Sequence, residues 1–258
     1  LVDNLEDEDK CDLLHLYANE KLIPYELPVD YIERHPNENI HVEDNVQWYW
    51  TDISKKIVEL RKYLLDGENH DRINFFNAAY DKVKVKAHLT DRVLTGEHKT
   101  NREKRWEAHP NSVHFATRVD CLDIEWTLIN QLCYFQGFPE NLRDQLEEED
   151  LISFSKLEDP ALKSFDDELM RCPITLEPLS FEEFKLEVID PEHGKASYQV
   201  GHMHPLKAQE NNPYTGHTAK NISWITAQGN RIQGEHAVEE TRDFFFRMIR
   251  NYKDAGMI

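Results

Sequence analysis

The apolar positions of this chain fall into helical spacing along most of its length and into strand spacing at a few short points. Val46, Tyr49, Trp50, Ile53, Ile57, Leu60 and Leu64 recur at steps of three and four, which predicts a helix over 46–65. The pattern resumes over 71–79. Upstream, Leu13, Leu14, Leu16 and Tyr17 predict a short helix that Pro24 and Pro28 bring to an end. Leu122, Ile124, Trp126, Leu128, Ile129 and Leu132 predict an amphipathic helix over 119–135, closed by Gly137 and Pro139. The acidic run 142–151 is also helical in pattern. After Gly229, the positions Ile232, Val238, Phe245 and Met248 predict a last helix.

Alternation points to strands elsewhere. Val83 and Val85 alternate with Lys82, Lys84 and Lys86, which predicts a strand or sheet edge. The stretch 184–200 reads as a hairpin: polar and apolar residues alternate over 185–189, and Asp190-Pro191-Glu192-His193-Gly194 supplies a turn. A polar loop with Asn211-Asn212-Pro213 and Gly216 separates its second arm from a short apolar strand over 222–225. The stretch 155–164, with Pro160, is the best boundary. The expected class is therefore α+β, with a mostly helical domain over 1–164 and a strand–loop–strand–helix domain over 165–258.

Length and composition bound the rest. A chain of 258 residues, 40% hydrophobic and 31% charged, makes one large domain or two smaller ones. No run of about 18 apolar residues predicts a membrane span, and no secretory signal is visible. Cys11, Cys121, Cys133 and Cys172 show no Cys-x-x-Cys pair, which fits a reducing, cytoplasmic compartment. Cys172-Pro173-Ile174-Thr175 has the first half of a zinc knuckle with Thr175 in place of the second cysteine. No structural zinc is expected, and Cys172 is read as a buried apolar residue.

The net charge of −19 weighs against an extended nucleic-acid-binding face. Acid is concentrated in runs such as Glu6-Asp7-Glu8-Asp9 and Glu147-Glu148-Glu149-Asp150. One basic island interrupts it: Lys82, Lys84, Lys86, Arg92, Lys99, Arg102, Lys104 and Arg105. Arg242, Arg247 and Arg250 on the last helix form a second group.

One stretch combines residue types that chemistry needs. Val200-Gly201-His202 ends a strand and is followed by Pro205-Leu206; Asn221-Ile222 opens the next strand; Asn230 stands nine residues after Asn221. A neutral histidine takes a proton from water near neutral pH. This stretch resembles the HNH (ββα-metal) nuclease motif, with His-Asn-Asn as its three polar positions and Gly201 where that family has an aspartate. The resemblance covers the last third of the chain. It implies a ββα-metal nuclease domain that hydrolyses phosphodiesters with His202 as general base. Asn221 would bridge the loop and hold the histidine ring. Asn230 would ligate one magnesium (or manganese) ion, with His204 as the substitute for the missing aspartate.

An HNH domain behind a larger unrelated domain resembles the HNH-type restriction endonucleases, which implies double-stranded DNA as partner and leaves a homodimer open. Lys99, Arg102, Lys104, Arg105 and Arg231 are the expected DNA contacts. Two other readings compete. A catalytically inactive ββα DNA-binding module is supported by Gly201. An acidic interaction protein or DNA mimic is supported by the charge of −19.

Overall fold

The computed structural model describes residues 39–43, 46–49, 52–66, 69–93, 102–109, 112–157, 165–191, 196–206 and 216–258. Within these the fold is mostly helical, with small two-stranded antiparallel sheets. Strands β1 (Asn39–Glu43) and β2 (Val46–Tyr49) pair first. Helices α1 (Asp52–Leu65) and α2 (His70–His88) follow, then the pair β3 (Leu89–Val93) and β4 (Arg102–Lys104). Helices α3 (Arg118–Cys133), α4 (Glu140–Glu148) and α5 (Phe181–Ile189) lead to strand β5 (Tyr198–His202). Strand β6 (Ile222–Thr226) pairs with β5, and helices α6 (Ala227–Gln233) and α7 (Val238–Asp254) close the chain.

Helix α3 is the axis of the molecule. Thr117 caps it by accepting from the Asp120 amide at 3.1 Å, and Asp120 returns a bond to the Thr117 amide, also at 3.1 Å. Leu122, Ile124, Leu128, Ile129 and Leu132 are all buried. Trp224 of β6 lies against it fully buried, its indole N–H donating to the Leu128 carbonyl at 2.8 Å. The Trp224 amide donates to the Gln131 side chain at 3.1 Å. Rings of Phe135, Phe184 and Tyr198 pack edge-on or tilted around Trp224 and each other. The hydrophobic core runs without a break from Ile57 to Val238, so residues on both sides of the expected boundary share it. Residues 158–164, the core of that boundary, lie outside the described residues, as does the helix expected near Leu13.

Four expected elements differ from the structure. The first helix starts at Asp52, and 46–49 is a strand instead; Val46, Trp48 and Tyr49 are strand formers. Lys82, Lys84 and Lys86 lie on helix α2 rather than on a strand. Phe76, Ala79, Tyr80, Val83 and Ala87 form its buried stripe, and Val85 points outward at 40% exposure. The stretch 184–189 is helical, not the first arm of a hairpin. Ser180 caps the helix by accepting from the Glu183 amide at 3.3 Å, and Glu182 and Glu183 favour its positive end. Phe181, Phe184 and Val188 then face the core at helical spacing. The last expected helix is two helices. Gly234, at φ +57°, ends α6 in a conformation open to glycine.

Candidate functional site

Strands β5 and β6 pair in register from Tyr198 opposite Thr226 to His202 opposite Ile222, and α6 leaves directly from the end of β6. The start of β5 is held by Glu187 of α5, whose carboxylate accepts from the Ser197 and Tyr198 amides at 2.7 and 3.0 Å. Lys82 ion-pairs with the same carboxylate. That lysine of the basic island thus braces the strand rather than facing solvent. The start of the strand is thereby fixed, and His202 stands at its other end, paired with Ile222.

His202 sits in a relay of two histidines. Its Nε2 lies 2.8 Å from His217 Nδ1, and His217 Nε2 lies 2.9 Å from the Ala87 carbonyl near the end of α2. A carbonyl only accepts, so His217 Nε2 carries the proton. His217 is 1% exposed. Burial drives its pKa down to about 2, with Arg105 and His202 adding to the effect against the Ala87 bond. Neutral His217 therefore accepts at Nδ1, and His202 must donate from Nε2. The lone pair of neutral His202 is then on Nδ1, and a proton taken there leaves the bond to His217 intact.

Asn221 is fully buried and staples the loop. Its Oδ1 accepts from the His204 amide at 2.7 Å, and its Nδ2 donates to the His204 and Gly216 carbonyls at 3.0 and 2.7 Å. It holds the backbone after His202 and the backbone before His217, and bonds to neither ring among these contacts. Gln233, 2% exposed, adds a second clamp, its Nε2 2.9 Å from the His202 carbonyl and 3.1 Å from those of Met203 and His236. Nothing in the sequence singles out His217 or Gln233. His217 is one of 13 histidines and lies in a polar loop without a motif of its own.

The donors for a metal can be tested on this geometry. Magnesium takes hard oxygen ligands, usually with one or two carboxylates among them. Asn230, on α6, donates from Nδ2 to Gln199 Oε1 at 2.6 Å. Its Oδ1 faces Gly201: a Cβ built on that glycine would stand 3.7 Å from it and 3.0 Å from Ile225 Cγ2. The neighbour from which a carboxylate would join Asn230 is therefore a residue without a side chain. His204 turns instead toward Glu239, its Nε2 3.6 Å from the carboxylate. Among the described residues no three His, Cys, Asp or Glu side chains converge on one point. Asn230 Oδ1 is thus one hard oxygen donor, and the facing position on β5 adds no carboxylate to it.

No family model matches the chain, and no curated protein matches it. Among the solved structures that match is a crystal structure of a type II restriction endonuclease, at 17% identity and a TM-score of 0.41, covering 77% of this chain and 82% of that one. The similarity is weak, and the site is read from its own geometry.

The expected DNA contacts differ in exposure where their side chains are described. Lys99 lies outside the described residues, and Arg102 is placed on β4 opposite Val93. Arg105 is 1% exposed and donates from Nη1 to the His114 carbonyl at 3.3 Å, and its charge adds to what keeps His217 neutral. Arg231 is exposed on α6, its Nε 3.2 Å from the Ala227 carbonyl. Lys104 is exposed and joins a cluster that sequence reading did not assemble. Its ammonium lies 5.6 Å from the Trp106 ring centre, and the Arg118 guanidinium lies 4.8 Å from it. His88 meets the same ring edge-on at 5.7 Å. The cluster and the histidine relay thus abut the same end of α2, one through His88 and the other through Ala87.

Proposed function

We propose that this chain is a nucleic-acid-binding module built on a ββα unit, with the histidine and asparagines of a nuclease site but without its magnesium donors. The observation that carries the reading is Gly201, which faces Asn230 Oδ1 from the strand position where a carboxylate would complete an oxygen pair. The Lys104–Trp106–Arg118 cluster supplies what a phosphate backbone and an exposed base would meet: two cations and an aromatic face. Binding to duplex DNA at two salt concentrations tests this. Lys104→Ala and Arg118→Ala should each weaken binding to all sequences alike and lower the salt slope by about one unit. Absence of binding by the unaltered chain would end the proposal.

A second reading, a magnesium-dependent endonuclease, is favoured by the His202 tautomer. In that tautomer Nδ1 is the nitrogen that would take a proton from water, and the relay to His217 and Ala87 orients the ring. In that reading His202→Ala removes cleavage, by on the order of 10²–10⁴ in rate, and leaves binding in place.

A further inference from the structure

We infer that helix α7 is the contact face of a symmetric dimer of this chain. The helix is anchored at its start and bare beyond it. Val238 and Thr241 are buried, the Val238 amide donates to the Met203 carbonyl at 2.9 Å, and Arg242 donates from Nη2 to the Pro173 carbonyl at 2.7 Å. From Asp243 to Asp254 every residue except Phe245 is exposed among the described residues. A helical segment this short, with so little packing, is marginal in water. Yet it exposes large apolar side chains among its charges: Phe244, Phe246, Ile249 and Tyr252 are 50%, 65%, 44% and 47% exposed. Exposed apolar clusters of this kind mark contact faces.

The charges identify the partner. Glu239, Glu240 and Asp243 occupy the first half of α7, and Arg247, Arg250 and Lys253 the second. A groove of about 660 Å³ runs along one face, with Glu240 and Asp243 toward one end, Arg247 and Arg250 toward the other, and Phe244 and Phe246 on its two flanks. That layout is complementary to its own reverse. Two copies of α7 laid antiparallel about a two-fold axis at the level of Phe245 set Glu240 against Arg250 and Asp243 against Arg247, with Phe244 and Phe246 meeting their own copies on the two flanks. Self-complementarity is what an isologous contact requires. A nucleic acid would be repelled by the acidic half, and a partner of one charge sign would meet a like charge at one end.

Sedimentation equilibrium of the full chain tests the inference. The unaltered protein should associate to twice the chain mass as concentration rises. Arg247→Glu with Arg250→Glu, and separately Glu240→Arg with Asp243→Arg, should each weaken self-association by at least about tenfold, because like charges then face one another. Mixing the two variants should restore dimers, now of one chain of each kind. Circular dichroism should show the same helix content in all of them. An unaltered chain that stays monomeric, a dimer that survives both reversals, or variants that fail to recombine would overturn it.

Discussion

At the scale of single residues, His217 decides which nitrogen of His202 is basic, and it does so because it is buried and neutral. The unfolded chain protonates this imidazole near its ordinary pKa of about 6.5, and the native chain does not until about pH 2. Between these values the unfolded state binds the extra proton. Native stability should therefore fall as pH drops below about 6.5, by roughly 1.4 kcal/mol per pH unit from this residue. Asp123 acts in the opposite sense. Burial, with Asp120 nearby, raises its pKa to about 6, so the native state holds more protons on it between that value and the ordinary carboxylate range. Comparison with His217→Gln separates the two, since only the first contribution is removed. Urea unfolding at several pH values between about 7 and 5 should show the unaltered chain losing stability relative to the variant as pH falls. A difference that does not change with pH would contradict a neutral buried His217.

At the scale of elements, the site depends on how closely α6 approaches the turn at Cys172. A Cβ on Gly229 would lie 2.7 Å from Cys172 Sγ and 3.0 Å from Thr226 Oγ1. Gly229→Ala should destabilise the protein by roughly 1–3 kcal/mol and loosen the bond from Asn230 to Gln199. Cys172→Ala in the same chain removes the clashing sulfur and should recover part of the loss. A denaturation series on the single and double variants checks this, and simple additivity would contradict it.

Much of this scale was legible in the sequence. The helical spacing of Leu122 to Leu132 marked α3, and β5 and β6 stand where the short apolar runs near Val200 and Ile222 placed strands. The misread elements share one physical cause. Val83 and Val85 alternate with lysines, and 185–189 alternates as well, but a window of five residues fits both periods. The flanking Phe76, Ala79 and Ala87 in the first case, and Phe181 and Phe184 in the second, fix the helix. The relay was out of reach for a different reason. His217 gains its role from Ala87, 130 residues earlier, and no local pattern encodes that contact.

At the scale of the molecule, the net charge of −19 and the proposed nucleic-acid partner are reconciled by placement. Cations of the basic island are divided between interior and surface: Lys82 braces β5, Arg105 is buried, and Lys104 stands out beside Trp106 and Arg118. The cluster meets the end of α2 at His88, and the histidine relay meets it at Ala87 through His217. What the site lacks is a carboxylate at position 201. The most direct measurement is cleavage of plasmid DNA with magnesium by the unaltered chain beside Gly201→Asp. A side chain there needs Ile225 to yield by a few tenths of an ångström and then puts a carboxylate next to Asn230. The account predicts that the unaltered chain binds the plasmid and leaves it intact, while Gly201→Asp gains magnesium-dependent cutting. Cutting by the unaltered chain that disappears in His202→Ala would contradict it.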